Sequence, residues 1–125
     1  MVMYAEELTK FAGEGADPQN VFNEGCEAAV KAVDEFVAKH GEPMYCGFGS
    51  VTIFPARGKL VSFLKKNEIG RKGYSGGYRI PYSSIMGNHS KRYTQSLDIQ
   101  EEAVNAFADV LQSYGIKAYG EGRAD

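Results

Sequence analysis

The chain has 125 residues, 43% hydrophobic and 24% charged, with a formal net charge of −2. That is enough for one domain with a sizeable core, and it excludes a disordered or collagen-like chain. The small net charge conceals a segregation: nine basic residues and one acid, Glu68, stand between Pro55 and Gln95, whereas residues 1–54 carry nine acids against three lysines and residues 96–125 six acids against two bases. Such separation predicts a cationic face for an anionic partner, without naming the partner.

In chain order, Leu8 and Phe11 suggest a short helix over 2–11, broken by residues 13–16. Asp17-Pro18 reads as an N-cap with proline at the first helical position. Phe22, Cys26, Ala29, Val30, Val33, Phe36 and Val37 continue at helical spacing to Lys39, with His40 in the last turn and Gly41 as the stop. Residues 45–54, rich in β-branched and aromatic side chains, predict a strand that Pro55 ends. A helix is expected over 57–68 from the stripe Leu60, Val61, Phe63 and Leu64, capped by Gly70.

A second strand is expected over 78–82, a polar loop over 83–90 and a third strand over 91–97. Asp98 with Glu101 resembles a capping box ahead of the stripe Ala103, Ala106, Phe107, Val110, Leu111 and Tyr114. Gly115 stops that helix, and 116–119 is the last strand. The order from residue 45 is βαββαβ, which predicts an α+β, ferredoxin-like antiparallel sheet with the first and third strands central. One domain over 1–125 is expected: a helical extension over 1–41, covering the other sheet face or an edge, and a core over 45–120. A sheet with an exposed edge or open face further predicts a homodimer.

Three segments carry chemistry. Pro55-Ala56-Arg57-Gly58-Lys59 places two cations where a helix end is already positive, and Gly58 permits close approach to the backbone. That suits a phosphate or carboxylate on Arg57, Gly58 and Lys59; the alternative is two solvated or acid-paired side chains. The loop from Gly70 to Gly77 contains Arg71, Lys72 and Tyr74 and follows a helix, so it is no Walker loop, but it suits a nucleotide or nucleic-acid backbone. Tyr74, Tyr78, Tyr82 and Tyr93 interleave with Arg71, Lys72, Arg79, Lys91 and Arg92, a set that stacks on bases and holds phosphates, although Tyr78 and Tyr82 share a strand face with Ile80 and suit the core.

His40 and His89 lack spaced partners for metal or triad work, and no cofactor is expected. Cys26 and Cys46 fit no metal or redox spacing and are expected free and reduced. The start lacks a signal-peptide pattern and no apolar run reaches about 20 residues, so a cytoplasmic protein without a membrane span is expected.

Residues 47–54, Gly-Phe-Gly-Ser-Val-Thr-Ile-Phe, resemble the aromatic strand of RNA-recognition domains, which implies exposed aromatics stacking on bases. They depart from it in having Cys46 at the leading basic position and Ser50 at an aromatic one, and in lying on the first strand. The alternative is that Val51 and Ile53 face one helical layer while Phe48 and Phe54 face another.

Over roughly its last eighty residues the chain also resembles a group of small bacteriophage and prophage proteins with no assigned activity. The resemblance rests on Pro55-Ala56-Arg57-Gly58-Lys59-Leu60, Gly76-Gly77, Thr94-Gln95-Ser96, Gly115-Ile116-Lys117-Ala118-Tyr119 and Arg123-Ala124-Asp125. It implies a protein of the infected host's cytoplasm, where inhibition of host defence and nucleic-acid handling are common roles. The sequence thus points to a non-enzymatic binding protein for nucleic acid or a nucleotide. The alternative is a module that inhibits a host protein through its acidic helices.

Overall fold

The computed structural model describes residues 16–73 and 76–125. The expected helix over 2–11 and Tyr74 lie outside the described residues. Helix α1 spans Pro18–His40, and Asp17 Oδ1 accepts the Gln19 N–H at 3.0 Å. Its buried stripe is Val21, Gly25, Ala29 and Val33. Gly41 ends it at φ 72°, a value that favours glycine.

Strand β1 follows at Gly47–Phe54, then helix α2 at Lys59–Lys66, the two-residue strand β2 at Arg71–Lys72 and strand β3 at Tyr78–Pro81. A short helix α3 covers Tyr82–Met86, helix α4 Leu97–Ser113 and strand β4 Lys117–Ala124.

The fold is α+β, with an antiparallel sheet of four strands in the order β2-β3-β1-β4. Val51, Ile53, Tyr78, Ile80 and Ala118 point to the helical side and are buried. They meet Ile99, Ala103, Val104, Phe107 and Leu111 of α4 and Leu60, Val61 and Leu64 of α2 in one core. Full burial of such side chains contributes about 1.5–3 kcal/mol each. Helix α1 packs on α4, α2 and α3. It therefore forms a third layer behind the helices, and among the described residues no helix covers the opposite face of the sheet.

Several expectations are corrected. Residues 91–97 are not a strand, and the expected pairing of 78–82 with 91–97 does not occur: the segment is a run of turns touching the sheet at one bridge, Cys46 to Ser96. Its polar groups bond elsewhere. Glu42 accepts from Lys91 Nζ at 2.7 Å and from Thr94 Oγ1 at 2.6 Å.

Ser96, not Asp98, caps α4, accepting the Ile99 N–H at 3.4 Å. The strand expected over 78–82 stops at Pro81; Tyr82 instead begins α3, which runs to Met86 into the segment 83–90 expected as a polar loop. Helix α3 buries Ile85 and Met86. Arg71 and Lys72, expected in a turn, pair with β3 at the sheet edge. The last strand runs on to Ala124, where the Asp125 N–H bonds to Cys46 O at 3.0 Å.

Candidate functional site

The strand register assigns the side chains of the uncovered face. Arg71 stands opposite Arg79, Arg79 opposite Thr52, and Thr52 opposite Tyr119. One row therefore crosses all four strands. The next rows set Pro81, Ser50 and Glu121 side by side, then Phe48 beside Arg123. Phe48 and Tyr119 are 54% and 46% exposed, large values for aromatic residues in a sheet. Phe54 lies 6.5 Å from Tyr119, ring centre to ring centre.

Arg79 is aimed by its own donation from Nε to Ser50 Oγ, at 3.1 Å. Like charges directly opposite each other destabilise a sheet, so the Arg71–Arg79 pair is unfavourable unless an anion joins it. Among the described residues neither makes an ion pair. Among the described residues Glu121 is the one acid in the shallow depression formed by Phe48, Ser50, Thr52, Phe54, Arg79 and Arg123.

At the Gly47 end of β1 the face deepens into a cavity of about 820 Å³. Arg71, Arg79, Arg92 and Arg123 line it together with Phe48 and Tyr93, and among the described residues no carboxylate does. Gln100, at 6% exposure, builds its floor. Its Oε1 accepts the Gly49 N–H at 2.7 Å, and its Nε2 donates to Gly47 O at 3.1 Å and Thr94 O at 2.9 Å. Gly49 admits this close approach: a Cβ there would stand 3.0 Å from the Cβ of Gln100.

The loop behind the cavity is tethered to the acidic part of the chain. His89 Nε2 lies 2.8 Å from Asp34 Oδ1, and the Lys91 N–H donates to His89 Nδ1 at 3.0 Å. The bonds from Lys91 and Thr94 hold the Glu42 carboxyl below its usual range. Burial, with the nearby Glu42 charge, pushes the Tyr82 phenol up to about 12. Tyr82 donates to Lys91 O at 2.7 Å, a structural tie.

The residues singled out in the sequence fall into two groups. Arg71 and Arg79 belong to the cavity. Arg57, Gly58 and Lys59 line a separate cavity of about 340 Å³ with Lys117 at the start of α2. Gly58 is the α2 N-cap at φ 112°, with no side-chain cap. Lys72 stands opposite Tyr78, across from the core side of β3. Tyr78 and Tyr82 are buried.

Sequence reasoning did not single out Arg123, Tyr119 or Gln100, which become neighbours of Phe48, Thr52 and Gly49 only through the β1–β4 register and the α4 packing. Among the described residues no helix is long and apolar enough to cross a membrane. Comparison with protein-family models, curated proteins and solved structures finds no match.

Proposed function

We propose that the protein binds single-stranded nucleic acid, without catalysis, on the uncovered face of its sheet. The observation that carries this reading is the opposed pair Arg71 and Arg79, unbalanced by any ion pair among the described residues, on the same face as exposed Phe48 and Tyr119. Guanidinium groups hold phosphates, and flat aromatic faces take unstacked bases, which a duplex does not offer. Phe54 lines both the depression on this face and the cavity of Arg57, Lys59 and Lys117, so a strand of several nucleotides reaches that second cationic group. The strand order, with β1 and β3 central, supports a ferredoxin-like grouping, an architecture well suited to such a platform.

The test is a titration of single-stranded DNA and RNA at two salt concentrations. Phe48→Ala should weaken binding by about 1–3 kcal/mol with little change in salt dependence. Arg79→Ala should lower the salt slope by about one unit. Absence of affinity for every single strand overturns the reading.

One feature favours the rival reading, a module that acts on another protein. A groove of about 580 Å³ between α1 and α3 is lined by Phe22, Cys26, Val30 and Met86 beside Glu27, Asp34 and Glu35. Specific co-purification of one host protein, lost on Val30→Lys, would put that reading ahead.

A further inference from the structure

Strand β3 leaves the sheet at Pro81, opposite Ser50 of β1. Beyond that point the 94–96 segment takes its place beside β1: the Gly47 N–H bonds to Gln95 O at 3.0 Å, and Cys46 bridges to Ser96. The cavity of about 820 Å³ lies at this junction. Arg71 and Arg79 reach it from the sheet edge, Arg123 from β4 and Arg92 from the incoming segment. Four arginines line one concavity, and among the described residues no carboxylate does. The Nε of Arg92 is buried and has no hydrogen-bond partner among the described residues. A buried donor left unpaired is unfavourable, and a bound acceptor would relieve it.

We infer that this cavity binds a phosphomonoester, and that in the bound strand the group is a terminal phosphate. The inference rests on the sheet-face reading and specifies where the end of the strand lies. A bridging phosphodiester carries one charge and two free oxygens. A phosphomonoester carries close to two charges at neutral pH and three strong acceptor oxygens. The second kind of group matches four arginines, whose planar forks grip phosphate oxygens in pairs. Phe48 and Tyr93 flank the same cavity and offer faces to the terminal base. The walls are set in advance by Gln100, which ties β1 to the 94–96 segment, and by Glu42, which holds Lys91 and Thr94. Little ordering is then left for the moment of binding.

The experiment compares oligonucleotides of one sequence bearing a 5′-phosphate, a 3′-phosphate or hydroxyls at both ends, together with a nucleoside 5′-monophosphate. One of the two phosphorylated strands should bind about tenfold more tightly than the hydroxyl-ended strand, a difference of about 1.4 kcal/mol. Arg92→Gln should abolish that preference, so that the phosphorylated and hydroxyl-ended strands bind alike. Arg92→Lys keeps the charge but loses the fork, and should lose most of the preference. Circular dichroism checks that each variant is folded. Equal affinity for all three strands, or a preference that survives in both variants, overturns the inference and leaves the sheet-face reading standing. Binding of the monophosphate with none of the strands supports the cavity and overturns the sheet-face reading. No binding of any ligand overturns both.

Discussion

Gly25 of α1 lies so close to Phe107 of α4 that a Cβ on Gly25 would stand 2.7 Å from two carbons of the ring. The ring is fully buried and has the Phe22 ring edge-on at 5.7 Å, so it has little room to give. Two effects oppose each other in Gly25→Ala. Helix propensity favours alanine by about 1 kcal/mol. Overpacking a fitted contact costs about 1–3 kcal/mol. Urea denaturation should show net destabilisation, partly restored by Phe107→Leu in the same chain. A more stable Gly25→Ala protein would mean that α1 and α4 are not packed this closely.

Gln100 is the second packing point, and its loss should be felt in both stability and binding. Gln100→Ala leaves the buried Gly49 N–H without its acceptor, which costs about 1–3 kcal/mol, and frees Thr94 from the cavity wall. Gln100→Glu keeps the acceptor but turns a carboxylate toward the carbonyls of Gly47 and Thr94. Its deficit should be larger at pH 8 than at pH 5, since protonation restores one donor. Melting temperatures at the two pH values check this.

The Glu42 carboxyl is held below its usual range by hydrogen bonds from Lys91 and then Thr94. A carboxyl depressed in the folded state contributes its stability above the unfolded glutamate pKa of about 4.3 and loses it as pH falls through the lower folded value. The difference in stability between the wild-type protein and Glu42→Gln should therefore be constant from about pH 5 to 8 and shrink below about pH 4. The pair is partly exposed, so the plateau should stay below about 1 kcal/mol. Urea midpoints measured across that range settle the sign.

Burial, aided by the charge of Glu27, pushes the Cys26 thiol up to about 12. Alkylation requires the thiolate. At pH 8 Cys26 should react with iodoacetamide on the order of a hundredfold more slowly than a free cysteine. Mass spectrometry of timed samples reads the rate at each position, and rapid labelling of Cys26 would contradict its burial against the core.

The legible parts of the fold were those with both a stripe and a cap. Helix α1 has Asp17, Pro18 and Gly41 around its apolar positions, and both its start and its stop fall where those residues place them. What periodicity does not state is the partner of a buried face. Helix α1 was expected to cover the sheet or an edge, yet its Gly25 admits the ring of Phe107, and it stacks behind α4. The alternation in 91–97 looked like a strand, but those residues bond to Glu42 and Gln100, distant in sequence. Helix α3 escaped notice because five residues after a proline, two of them serine, show no period. Of the site, the charge excess pointed to Arg71 and Arg79. Arg123 sits in the acidic last third and joins them only because β4 pairs with β1 in a register that sets it opposite Phe48.

The stacking of α1 behind the other helices gives the molecule an electrical front and back. The acids of α1, among them exposed Glu27, Asp34 and Glu35, lie two layers from the face that carries Arg71, Arg79 and Arg123. A polyanion approaching the helical side meets repulsion, and one approaching the sheet meets attraction. For the nucleic-acid strand of the proposed function, the same field would turn the protein until its sheet faces the strand before any contact forms. A net charge of −2, which by itself suggests indifference to polyanions, here conceals a separation of charge between two faces.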